Sequence, residues 1–205
     1  FYNTRAFNQD IGGWDVSSVK KMQSMFESAS VFDADIGGWD VSNVTDMGYM
    51  FLRASVFNAD IGGWDVSSAG YMTGMFEETH VFNQDIGGWD VSNVLSMKTM
   101  FADTHVFNQD IGGWDVSSVI DTRSMFRHAN AFNQDLSLWD MSNAFYRYEM
   151  FDYTPMADNV PFLPKLPPYS AQVVAAREQK QQEARAKGER KRAEAAARRA
   201  ARRAS

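Results

Sequence analysis

Two sets of aspartates recur through the first three quarters of the chain: Asp10, Asp35, Asp60, Asp85, Asp110 and Asp135, and Asp15, Asp40, Asp65, Asp90, Asp115 and Asp140. Every step in both sets is 25 residues. If successive copies stand in register, each carboxylate lies roughly 4.8 Å from the next of its kind. Like charges at that spacing repel by about 1 kcal/mol per exposed pair in water, so the rows need compensation. Two chemistries supply it. Oxygen-rich rows can hold calcium between copies. Alternatively each carboxylate accepts hydrogen bonds from the amides of its own turn, as Asx turns do. Both "Asn8-Gln9-Asp10-Ile11" and "Asp15-Val16-Ser17-Ser18" have the composition of such turns. The Gly-Gly-x-Gly-x-Asp form of calcium-binding repeats is absent. Amide capping is therefore the preferred reading and calcium the alternative.

Other reactive groups are sparse. The chain has no cysteine, which removes disulfides, thiolate nucleophiles and Cys-based metal sites together. His80 and His105 share a phase, but the neighbouring copies offer Ser55 and Asn130 there, and His128 is off phase. Two stacked imidazoles make a poor metal site. The recurring Ser and Asp lie on ladders while the histidines do not, so no Ser-His-Asp set forms. The "IGG" pair precedes a predicted strand, the wrong context for a phosphate loop. Asn43-Val44-Thr45 is a glycosylation acceptor pattern, meaningful only in a chain secreted by a eukaryote. These residues predict a protein that is not an enzyme and carries no cofactor.

What must position the aspartates is a repeat. Trp14, Trp39, Trp64, Trp89, Trp114 and Trp139 are spaced at 25 residues without a slip, and they are all six tryptophans of the 205-residue chain. A fixed period in this range signals an array of units that bury their apolar faces on one another. Within a unit, Trp14-Asp15-Val16 alternates as a short half-buried strand does. Val19, Met22, Met25, Phe26 and Ala29 then recur at three- and four-residue steps, the spacing of a helical or 3₁₀ face. Trp and Val16 share strand parity, so the indoles read as core, flanked by phenylalanine ladders at Phe7/Phe32 and Phe26/Phe51; a sugar-binding platform of stacked indoles is the alternative.

A family resemblance rests on these residues. Ile11-x-x-Trp14-x-Val16 resembles the LxxLxL strand of leucine-rich repeats. More specifically, "WDVSNVTDMGYMFLRASVFNADI" (39–61) is similar to the tandem repeat of the BspA-like leucine-rich-repeat surface proteins, a family that includes bacterial surface proteins and mycoplasma lipoproteins. The resemblance covers residues 1–154. It implies a right-handed, leucine-rich-repeat-like β/α (3₁₀) solenoid with one short parallel strand per coil, and a cell-surface or extracellular role in adhesion or recognition through a protein or glycan partner. A calcium-stabilised adhesin repeat and a repeat appendage of a larger enzyme or receptor are the alternatives.

Three segments follow from composition: a six-repeat array over 1–154, a Pro-rich linker over 155–169, and a basic Ala/Arg-rich tail over 170–205, helical or disordered. Phe1 falls on the phase of Phe26, so the chain reads as a fragment opening in mid-repeat. Five prolines between Pro155 and Pro168 predict an extended segment. Residues 1–154 hold 21 acids and 8 bases, a balance of −13; residues 170–205 hold 11 bases and 4 acids, a balance of +7. With the neutral linker these sum to −6. The tail is predicted to be solvated and partly helical, with Glu183–Lys187 and Glu194–Arg198 at helical spacing and Gly188 as a weak point. Its charge also predicts an intramolecular contact with the acidic repeats. The cluster Arg198, Arg199, Arg202 and Arg203 lacks the stacking aromatics of a nucleic-acid binder, and nucleic acid is not an expected partner. No apolar run is long enough to span a bilayer, and no signal peptide is visible.

Where the copies disagree, stacking does not dictate the side chain. Lys21, Asp46, Tyr49, Tyr71, Lys98 and Arg123 occupy such positions and form the candidate interaction surface.

Overall fold

The computed structural model describes residues 1–158 and 171–204. The Pro-rich linker therefore lies outside the described residues from 159 onward. Its first four form a 3₁₀ turn, η1 (Pro155–Asp158), and α1 (Ala171–Ala204) is the one α-helix among the described residues. Units are named here from the phenylalanine that opens each phrase: unit one is 7–31, unit two 32–56, and so on in steps of 25 to unit six at 132–156.

Successive units lie on one another in register. Parallel bridges join Lys21 to Asp46, Asp46 to Tyr71, Tyr71 to Ser96, Ser96 to Asp121 and Asp121 to Tyr146. The Trp-Asp-Val segment, expected to be the strand, carries no bridge; the inter-unit pairing falls seven residues after each tryptophan. Turns closed by Ile11 and Trp14 and by Val16 and Val19 bracket that segment, with N–H···O distances of 3.0 and 2.9 Å. Its alternation in the sequence reflects two inward corners rather than a pleat.

The Met-rich half of each unit also departs from the helix that its spacing suggests. Met25 N–H donates to Met22 O, Glu27 to Ser24 O and Ala29 to Phe26 O, three linked turns. The alternate amides leave the unit instead: Met22, Ser24, Phe26 and Ser28 donate to Asp46, Gly48, Met50 and Leu52 of the next. A true helix would turn its amides inward along its own axis and leave none for the neighbour. The backbone changes hand twice per unit to achieve this. Ser24, Tyr49, Gly74, Thr99, Ser124 and Glu149 form one row at positive φ; Asn3, Ser28, Arg53, Glu78, Asp103, His128 and Tyr153 form another. Only one of these thirteen is glycine.

The core is a set of ladders. Phe26, Phe51, Phe76, Phe101 and Phe126 stack at 5.5–5.8 Å between ring centroids. Each of these rings also lies about as close as contact allows to the phenylalanine that opens the next unit, as with Phe26 on Phe32 at 3.9 Å. Trp39, Trp64, Trp89, Trp114 and Trp139 are buried, and each indole N–H donates to an isoleucine carbonyl of the preceding unit, Trp64 to Ile36 O at 3.1 Å for example. Trp14, in unit one, is 49% exposed. A buried indole needs a partner for its one donor, and stacking supplies it.

Candidate functional site

The aspartates act locally. Asp10 accepts from Gly12 N–H at 3.0 Å, and the same two-residue reach recurs at Asp35, Asp60, Asp85, Asp110 and Asp135. Asp15 takes both the amide and the hydroxyl of Ser17, and Asp40, Asp65, Asp90 and Asp115 repeat the pair with their own serines. Each row is thus built of Asx turns, in which donors of the same unit face each carboxylate. Among the described residues no group of three or more His, Asp or Glu converges as a metal site. His80 and His105 stack at 4.9 Å on the surface.

The six variable residues fall on three neighbouring rows. Lys21, Asp46 and Tyr71 sit in the bridge row itself, with Lys21 and Tyr71 exposed and Asp46 half-buried. Lys98 and Arg123 stand two positions further on in adjacent units, and Tyr49 lies on the left-handed row with φ 56°. Arg123 is already engaged. Its guanidinium forks onto Asp121 (Nε–Oδ1 2.9 Å, Nη2–Oδ2 2.5 Å) and lies 5.2 and 5.7 Å from the Tyr146 and Tyr148 rings. The hydrogen bonds it donates to Asp121 raise the Arg123 pKa further. Burial pushes the Asp121 carboxyl up, but the bonds from Arg123 outweigh it and hold the group below its ordinary value. Glu77 goes the other way: burial raises it, with only partial relief from the Thr99 hydroxyl.

The six candidate residues leave out the row just before the bridges, although its copies also disagree. It runs Lys20, Thr45, Gly70, Leu95, Ile120, Phe145 and turns from polar to apolar along the array. Leu95, Ile120 and Phe145 are exposed, beside exposed Tyr146 and Tyr148. The signal was present as a phase-specific drift in hydropathy.

A second surface is formed by the glycine pairs. A Cβ on the first glycine of a pair, as at Gly37, Gly62, Gly87 and Gly112, would overlap the aspartate carbonyl of the next unit. That glycine permits close approach of units. The second glycine faces α1. A Cβ on Gly63 would lie 2.8 Å from Ala195 Cβ, one on Gly88 2.7 Å from Gly188 Cα, and one on Gly113 2.9 Å from Ala184 Cβ. The helix is therefore packed rather than solvated along this side. Lys180 reaches Asp110 at 3.3 Å, Lys187 and Lys191 reach Asp85 at 2.8 and 3.1 Å, Arg198 reaches Asp60 at 4.0 Å and Arg199 reaches Asp40 at 3.4 Å. Lys191 also donates to the Asp85 carbonyl at 2.6 Å. Burial pushes the Asp85 carboxyl up, but Lys187, Lys191 and the Gly87 amide hold it below its ordinary value. Asp40 is lowered in the same way by Ser42 and Arg199 against burial. No helix among the described residues is long and apolar enough to cross a membrane.

The family described as "Mycoplasma protein of unknown function, DUF285" matches residues 1–84 and 60–160. No curated protein and no solved structure matches the chain.

Proposed function

The chain belongs to the DUF285 family, and on that premise we propose that it is a non-enzymatic recognition scaffold of the cell surface: a BspA-like, right-handed, leucine-rich-repeat-like solenoid that presents variable side chains to a protein or glycan. One observation carries the reading. The recurring Trp, Phe, Asp and Gly are engaged in stacking or in turns, while the residues of the bridge row and its neighbours differ from unit to unit and stand at a regular pitch. A rigid frame bearing non-repeating side chains suits recognition better than turnover. Lys21, Tyr71, Lys98 and the Arg123–Tyr146–Tyr148 cluster provide cationic and aromatic contacts side by side. Aromatic faces and arginine are the groups that carry most binding energy at interfaces. In the same reading α1 is an internal partner of the acidic repeats, held by surface ion pairs that salt weakens.

The test compares the wild-type chain with a Tyr71→Ala/Arg123→Ala double variant on a glycan array and against a peptide display library. Ligands retained by the wild type and lost by a variant of equal melting temperature support the proposal. Ligands bound equally by both place recognition elsewhere and sink it.

A further inference from the structure

The contact residues of α1 follow one helical stripe: Lys180, Ala184, Gly188, Lys191, Ala195 and Arg199 recur at steps of three or four. Opposite them runs the row of second glycines in units two to five, with the carboxylates of Asp40, Asp60, Asp85 and Asp110 alongside. The fit is steric as well as electrostatic. Gly188 crosses Gly88 so closely that a Cβ on either would strike the other's backbone. Glycine inside a helix costs about 1 kcal/mol relative to alanine, and here it stands at the closest crossing. Ala195 is buried although it lies in a basic, mostly exposed helix.

We infer that the glycine row and its flanking aspartates form a docking trough for a basic helix with glycine or alanine at the crossing points, contributed by another polypeptide, and that α1 is its tethered competitor. The charge complementarity and the seated helix define the partner's chemistry: lysine or arginine at the edges of the stripe, small residues along its centre. A tethered ligand competes at an effective concentration on the order of millimolar. The trough is thus closed to weak partners and opens to stronger ones, or whenever α1 is weakened. This surface is distinct from the variable rows, so its failure leaves the scaffold reading intact.

The experiment uses full-length chains and a labelled synthetic peptide of residues 171–204 as probe. Gly188→Leu forces α1 off Gly88 without touching the repeats. At low salt this variant is expected to bind the peptide at least ~10-fold more tightly than the wild type does, because the effective concentration of the tether no longer competes. Adding Gly88→Leu to that chain is expected to abolish the gain, and circular dichroism of the repeats checks that they remain folded. A scrambled peptide of equal composition is expected to bind weakly. Equal binding of scrambled and native peptides would reduce the contact to bulk charge and overturn the proposal, as would equal peptide affinity for wild type and Gly188→Leu. A wild-type dimer that forms with rising concentration and is lost in Gly188→Leu would assign the trough to a second copy instead, and would also overturn it.

Discussion

Replacing Ser28 with glycine is expected to stabilise the protein, although it deletes a side chain and introduces the most flexible residue. Ser28 has φ 58°, and its amide donates to Leu52 O at 2.7 Å, a bond that glycine keeps. An L-residue held in the left-handed region costs roughly 1–2 kcal/mol. Glycine removes that strain but has more freedom to lose on folding, a penalty of about 0.5–1 kcal/mol. The difference is a gain of about 0.5–1 kcal/mol, or a rise of a few degrees in melting temperature for an array of this size. Urea titration of wild type, Ser28→Gly and Ser28→Ala separates the causes. The alanine variant keeps the Cβ and the strain, so it is expected to stay within about 0.5 kcal/mol of wild type. A glycine variant less stable than the alanine variant would refute the claim that the left-handed row is strained. Gly74 supplies the converse, since it has φ 57° and a Cβ there would lie 2.5 Å from the Tyr49 ring. Gly74→Ala is therefore expected to destabilise.

Trp89→Ala is expected to cost about 3–5 kcal/mol, as large core truncations do, whereas Trp14→Ala, at a half-exposed indole, is expected to cost about 1 kcal/mol; chemical denaturation of both measures the contrast. Gly87→Ala presses a methyl group onto the Asp110 carbonyl and is expected to lower the urea midpoint, while Ser137→Ala at the equivalent place in unit six is expected to leave it nearly unchanged. Asp85 and Asp40 have lowered pKa values in the docked state, against an ordinary value of 3.8. Their contribution to α1 docking is fully present above that value and is lost as pH falls through the depressed values. The anisotropy of a dye on Ala196→Cys, the only thiol in the chain, is expected to hold steady down to about pH 4 and to drop below it. A transition centred above pH 5 would exclude the aspartates as its cause.

The inward residues were legible because a period is visible without knowing the local backbone: Trp, Phe and Ile on constant phases had to meet their equivalents. The role of Asp10 and Asp15 was legible because an Asx turn is a contact over two residues. What misled was periodicity within the unit. Met22, Met25, Phe26 and Ala29 return inward every three or four residues in a helix, but also in a run of linked turns, and only the hand of Ser24 and Ser28 separates the two. The glycine pairs were legible only as the wrong context for a phosphate loop. Their constraint is the carbonyl of the next unit or a helix about 100 residues distant, as with Gly88 and Gly188. Charge alone named the basic tail and the acidic units as complementary, but it could not place Lys187 on Asp85 or put Gly188 at the crossing. The drift of the row before the bridges to Leu95, Ile120 and Phe145 required comparing copies by position rather than by motif.

The forward-pointing amides have a cumulative effect. Between each pair of units four backbone N–H groups point toward the following unit, and fewer point back, as from Thr45 to the Lys20 carbonyl and from Asp33 to the Asn8 side chain. In an ordinary sheet such dipoles alternate and nearly cancel. Here they add, as they do along a helix. The array is electrically polarised end to end: unit six presents the positive pole and unit one the negative pole. By the same rule the amides of Arg147, Glu149, Phe151 and Tyr153 are directed out of that last unit. Every further repeat would lengthen this dipole, whatever charges its side chains bring.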